Sequence, residues 1–206
     1  MRVEIHPTHP QPRLIGKAVD VLHGGGVIVY PTDSYYAFGC ALAAQDAATR
    51  IRSLRRMGKQ QFLTLVCRDL SELSAFARVE KGSYRLIKSL TPGPYTFILQ
   101  ATRELPRRLA DPKRKTIGLR IPDHPVTAAL LDALESPLLS ATAEDGSDLE
   151  PLSDPDEIAD ALGRRIDLFL DAGTGGFEPT TVIDLTGGEP ELVRAGAGSV
   201  DHLMNL

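Results

Sequence analysis

Short apolar runs of β-forming residues recur along the whole chain, separated by stretches of helical period. VIVY (27–30), FLTLVC (62–67), YTFILQA (95–101), TIGLRI (116–121), PLLSAT (137–142) and DLFLD (167–171) are strand-length and rich in branched and aromatic residues. Residues 36–43 form a further strand after the turn PTDS. Between these runs, QPRLIGKAVDVLH (11–23) sets Leu14, Ile15, Ala18, Val19 and Leu22 at helical spacing, and Gly24-Gly25-Gly26 stops it. DAATRIRSLRRM (46–57), SELSAFA (71–77), KGSYRLIKSL (81–90), HPVTAALLDALE (124–135) and residues 154–162 read as helices, and TTVIDLTGGEPELVRAG (180–196) as a hairpin. Strands and helices interleave without strict alternation. That pattern predicts an α/β fold, a single domain over residues 1–206 with a twisted mixed sheet.

A chain of 206 residues can bury a sufficient core without disulfides or metals. Cys40 and Cys67 each sit in an apolar run and read as buried free thiols. The histidines are scattered and no Cys-x-x-Cys occurs, so no permanent metal is expected. No run is long and apolar enough to span a bilayer. The opening MRVEIHPTHPQPR lacks the apolar segment of a signal peptide, which leads us to expect a cytoplasmic protein with no membrane partner. The net charge of −4 conceals an asymmetry. Arg50 to Arg68 holds cations and no acid, the charges from Arg103 to Arg120 are mostly basic, and Glu144 to Asp160 holds eight acids and no base. Two basic segments in an acidic protein suggest a local anionic ligand.

Polar residues collect at the ends of the apolar runs. Thr32, Asp33 and Ser34 follow the first, Arg120 and Pro122 close TIGLRIP, and Ser140 and Thr142 close PLLSAT. Thr180 and Thr181 open the hairpin that Arg194 ends. In open α/β sheets, ligands bind beyond strand ends where loops gather. Hydroxyls and arginines there suit phosphate or carboxylate, because charge-assisted hydrogen bonds are the strong ones. No nucleophile-base pair and no phosphate-binding glycine loop is present. The inventory suits positioning and charge stabilisation.

YPTDSYYAFG, TPGPYTFIL, TIGLRIP, TTVIDL and VRAGAG, in that order, resemble the YrdC/YciO family of threonylcarbamoyl-adenylate synthases. The similarity runs from about residue 11 to 200, and FLTLVCRDLSELS, PRRL, KRKTIGLR and SDPDEI are similar to the YciO branch in particular. The resemblance implies a YrdC-type sheet around a basic concave cleft. It implies that L-threonine, bicarbonate and ATP, with Mg2+ carried by the ATP, become threonylcarbamoyl-AMP and pyrophosphate. That product serves the modification of adenosine 37 in certain tRNAs. Double-stranded RNA binding is implied as well, and a YciO-type nucleotide or RNA binder with weak or lost synthase activity is the alternative.

By the same resemblance, Thr32 and Arg55 hold the threonine and carbonate end, while Arg120, Thr142, Thr181 and Arg194 hold phosphates and ribose; Tyr36, matching a family tyrosine, and the strand-end Ser140 are further expected substrate-binding residues. Arg55 and Arg120 are the expected catalytic pair. The family's Lys-x-Arg-Pro falls at Arg55, Met57 and Gly58, so Lys59 or Arg56 is expected to compensate. Its Ser-x-Asn falls at Thr142 and Glu144, and Ala195 replaces a proline. Glu144 is expected to place a negative charge near the triphosphate, where two like charges about 4 Å apart at an effective dielectric near 20 cost roughly 4 kcal/mol. The two basic segments are expected on one concave face, with residues 143–153 as a soft acidic loop at its edge.

Overall fold

The computed structural model describes residues 1–58, 61–144 and 151–201. The strands are β1 (Arg2–Glu4), β2 (Ile28–Tyr30), β3 (Ala37–Ala41), β4 (Thr64–Val66), β5 (Ala77–Arg78), β6 (Tyr95–Ala101), β7 (Thr116–Arg120), β8 (Leu138–Thr142), β9 (Leu168–Asp171), β10 (Thr181–Asp184) and β11 (Glu191–Arg194). The helices are α1 (Pro12–His23), α2 (Gln45–Leu54), α3 (Leu70–Phe76), α4 (Lys81–Leu90), α5 (Pro125–Leu134) and α6 (Pro155–Leu162). All the strands join one mixed sheet in the order β1-β9-β2-β3-β8-β4-β7-β6-β10-β11, with β5 on β6. Among the described residues no helix is long and apolar enough to cross a membrane.

Each face of the sheet carries its own core. On one, Leu14, Ile15, Ala18 and Leu22 of α1 and Val126, Leu130, Leu131 and Leu134 of α5 pack onto Ile28, Tyr30, Val66, Leu138, Leu168 and Leu170. On the other, Ile51 of α2, Leu73 of α3, Ile87 of α4 and Ile158 of α6 belong to a cluster with Val29, Phe38, Leu65, Phe97, Leu119 and Phe169. Alternate residues of each strand go to opposite faces. Burying one such aliphatic side chain stabilises the fold by about 1.5–3 kcal/mol.

Three departures from the sequence reading have local causes. β1 has no apolar run to betray it; it is an edge strand that pairs in parallel with β9 alone. Ala77 leaves α3 for extended backbone and pairs with Ala101 on β6. Most consequential, α2 stops at Leu54 and not at Met57, because Arg56 adopts a left-handed conformation with φ of 49°. The early stop frees Arg55 and Met57 from the helix surface.

Tyr30, Tyr36, Cys40 and Cys67 are fully buried. Burial raises the phenols of Tyr30 and Tyr36 and the thiol of Cys40 to about 12 each, and pushes the Cys67 thiol up as well. Unfolding returns these groups to ordinary values of roughly 9–10. Between those values and the raised ones, the unfolded chain binds fewer protons than the folded one. Stability is therefore full below the unfolded pKa and falls as pH rises, by up to about 1.4 kcal/mol per pH unit for each such group. Urea unfolding at pH 7.5 and pH 10.5 should show a clear loss at the higher pH; equal midpoints would mean these groups are not protected.

Candidate functional site

The helices α1 and α5 leave part of their sheet face bare. The change is written into two strands: on β4 the face passes from Val66 to Thr64, and on β8 from Leu138 to Ser140 and Thr142. The register matches, Val66 opposite Leu138 and Thr64 opposite Ser140. β7 continues the layer, with Gly118 beside Thr64 and Arg120 beside Val66. A Cβ on Gly118 would lie 3.3 Å from Thr96 Cγ2 and 3.5 Å from the Thr64 hydroxyl, so glycine lets those two threonines share a flat floor.

Over this floor lies a cavity of about 360 Å³. Its lining includes Tyr35, Arg55, Met57, Gln61, Phe62, Thr64, Thr96, Arg120, Ser140, Thr142, Glu144, Pro151, Thr180 and Arg194. A larger space of about 630 Å³ opens between α4 and the β10–β11 hairpin. Its wall mixes Glu80, Arg85 and Glu189 with glycines and leucines, and no set of polar groups converges there. The smaller cavity is the one with convergent chemistry.

Arg120 is buried and held from below. Its Nη2 donates to Asp33 Oδ1 at 2.7 Å and to Ser34 Oγ at 3.1 Å. Asp33 Oδ2 also accepts from the Asp123 amide at 2.8 Å. The Nε of Arg120 is buried without a hydrogen-bond partner. A buried orphan donor is costly, so Arg120 carries an unmet hydrogen bond as well as its ion pair.

Arg194 is set differently. Val182 pairs with Arg194 and Ile183 with Leu192, so Val193 is the extra residue of a β-bulge. Bulges re-aim side chains. Here Arg194 Nη2 reaches the Thr180 carbonyl at 2.9 Å and the Thr180 hydroxyl at 3.2 Å. Thr180 Oγ1 lies 2.9 Å from Thr96 Oγ1. No carboxylate pairs with Arg194 among the described residues. Arg194 is exposed overall, but partial burial of its guanidinium, and then the like charge of Arg120, lower its pKa. Arginine nevertheless stays a cation. The result is a positive charge over neutral oxygens, the setting for an anion.

At the other wall, Arg55 Nη2 lies 2.6 Å from Glu144 Oε1 and Arg55 Nε donates to Oε2 at 3.3 Å. Glu144, expected as a negative charge at this site, is held in a two-pronged ion pair. The replacements at these two positions compensate each other.

Other expected site residues fall elsewhere. Tyr36 is fully buried outside the cavity lining; its hydroxyl donates to the Gly173 carbonyl at 2.6 Å and accepts from the Ala172 amide. Its ring packs edge-on against Phe169, and Tyr35 is the tyrosine at the cleft. Thr181 is also fully buried; it bonds the Gly198 carbonyl at 2.6 Å and the Gly196 amide at 3.0 Å. It anchors the segment after Arg194, while Thr180 faces the cavity. In both cases strand alternation exchanges neighbours. Thr32 lies beneath the cleft, where its hydroxyl donates to the Tyr35 carbonyl at 2.7 Å and accepts from the Ser34 amide. Ser140 lines the cavity, but its hydroxyl is committed: it donates to the Phe38 carbonyl, so Tyr30 donates to it. Thr142 lines the cavity, and Lys59 lies outside the described residues. Thr64 and Thr96 were missed; alternation in LTLV and YTFIL was their signal.

Several cations of the basic segments are engaged by acids of the chain. Arg50 pairs with Asp167, Arg68 with Asp69, and Arg114 with Asp184, at the far end of β10 from Thr180. Arg52, Arg107 and Arg108 do share a groove of about 370 Å³ that meets the cleft at Phe62. Of the acidic loop, residues 145–150 lie outside the described residues.

Known proteins share this architecture. The family Sua5_yciO_yrdC, described as "Telomere recombination", matches residues 20–196. An uncharacterized protein, YciO, of Escherichia coli strain K12 is 51% identical over 197 residues, covering 95% of each chain. A crystal structure of E. coli YciO superposes with a TM-score of 0.95 at 48% identity over 98% of both chains. A threonylcarbamoyl-AMP synthase of Halorhodospira halophila is 30% identical over 180 residues, 86% of this chain and 93% of that one. A crystal structure of P. abyssi Sua5 complexed with L-threonine has the same fold, with a TM-score of 0.91 at 22% identity over all of this chain and 60% of that one.

Proposed function

The chain belongs to the Sua5/YciO/YrdC family, and from that premise we propose that its cleft is a site of threonylcarbamoyl-adenylate chemistry. The reaction would join L-threonine, bicarbonate and ATP into threonylcarbamoyl-AMP and pyrophosphate, and the product would serve tRNA modification. The observation that carries this reading is the uncompensated Arg194 over Thr180 and Thr96, in the cavity that Arg120 also lines. Arg194, Arg120 and the floor hydroxyls would hold the phosphate of an adenylate. Mg2+ would come with ATP as part of the substrate; among the described residues no three carboxylates, imidazoles or thiols cluster to hold a metal. The relative complexed with L-threonine supports an amino acid as the second substrate.

No group in the lining is placed as nucleophile with a base. Rate acceleration would come from alignment and charge stabilisation. Pyrophosphate release from ATP, measured with and without threonine and bicarbonate, tests the reading. Release that requires both co-substrates is the expected result; release indifferent to them would point to another adenylate-forming reaction.

A second reading, nucleotide or RNA binding with little synthase activity, is favoured by the ion pair that occupies Arg55 and by apolar Met57 beside it. It predicts nucleotide binding without turnover in the same assay.

A further inference from the structure

The two walls of the cleft differ in charge. At one, Arg194 is a cation over neutral oxygens. At the other, Arg55 already holds two carboxylate oxygens of its own chain. Side-on contact through Nε and Nη2 is the arginine fork that recognises carboxylates and phosphates alike. Glu144 therefore presents to Arg55 what a phosphate group would present. Both side chains line the cavity, and Met57 beside them offers no donor. Arg120 is likewise matched by Asp33. The uncompensated charge of this cluster is that of Arg194.

We propose that Glu144 is a built-in anion that fills the Arg55 subsite and excludes polyphosphate from it, so that the cleft takes ligands carrying one phosphate group in preference to triphosphates. The substrate class is then an adenylate, with its single phosphate at Arg194, Thr180 and Arg120. This rests on the second reading above, nucleotide binding with little synthase activity, for the identity of the ligand, but not for the exclusion itself. A triphosphate reaching the Arg55 wall must either displace Glu144 or lie beside its carboxylate. Like-charge juxtaposition is a common device for rejecting the wrong partner. The two-pronged contact also explains why the pair persists: losing either partner strands the other charge in a partly buried site.

Calorimetric titration of AMP, ATP and inorganic tripolyphosphate into the unmodified protein and the Glu144→Gln variant tests this. Glutamine keeps the shape and one acceptor while removing the charge. In the unmodified protein AMP should bind at least as tightly as ATP. In Glu144→Gln, ATP and tripolyphosphate should tighten about tenfold, equivalent to about 1.4 kcal/mol, with AMP within about twofold. ATP more than tenfold tighter than AMP in the unmodified protein would overturn the proposal, even if the variant did not fold. So would a variant that leaves tripolyphosphate unchanged or shifts AMP and ATP equally. Tripolyphosphate captured only by Glu144→Gln, with neither nucleotide bound by either form, would sustain the exclusion and refute the nucleotide reading.

Discussion

Arg120→Ala is expected to destabilise the fold by about 3–5 kcal/mol, the cost of breaking a buried ion pair by removing one partner. The effect would be visible as a shift in the urea midpoint before any ligand is added. The side chains of Arg120 and Asp33 are 10% and 8% exposed, so water cannot replace the lost partner. Asp33 would keep the Asp123 amide but lose its counter-charge. Total stabilities are typically about 5–15 kcal/mol, so the loss would be a large fraction. The same argument predicts that Asp33→Asn costs a comparable amount alone. Arg120→Met combined with Asp33→Asn should cost much less than the sum, because no charge is then stranded. Additive losses would mean that the two residues act independently. The consequence for function is that Arg120 cannot be read by alanine substitution alone: weaker ligand binding would be mixed with partial unfolding.

Arg120 and Arg194 were equally visible in the sequence. TIGLRIP placed a charge in an apolar strand, and a charge there had to be matched. Which match it finds depends on Asp33 across the sheet, and strand order is a long-range property that no local pattern contains. The strands and helices themselves were legible because apolar period and turn residues are local. The edge strand β1 was not, since a strand paired on one side and exposed on the other needs no apolar run. At the site, choosing Tyr36 over Tyr35 and Thr181 over Thr180 shows a general limit. A strand-end motif identifies a neighbourhood, but one step along a strand reverses the face. Glu144 shows a second limit. Read against a family pattern it is a negative charge near a triphosphate, while its fork with Arg55 is a long-range contact that the local sequence does not contain.

Arg194→Ala should do the reverse of Arg120→Ala, sparing the fold and removing the ligand. The residue sits on the edge strand β11, all of whose residues are exposed. Its hydrogen bonds go to the carbonyl and hydroxyl of Thr180, both neutral, so no counter-charge is stranded by its loss. Stability should fall by no more than about 1.5 kcal/mol, because at an exposed strand water can take over part of what the charge-assisted bonds supply. Hydrogen bonds to a charged group are worth about 1.5–3 kcal/mol. AMP affinity should therefore fall by roughly 10- to 150-fold, since each 1.4 kcal/mol is a factor of ten. Arg194→Lys should recover only part of that, because an ammonium supplies charge but cannot bridge Thr180 and a phosphate with one planar group. Calorimetry with AMP on melt-checked variants distinguishes the cases. A folded Arg194→Ala protein with AMP affinity within twofold of the unmodified one would remove Arg194 from the site, and with it the observation on which the adenylate reading stands.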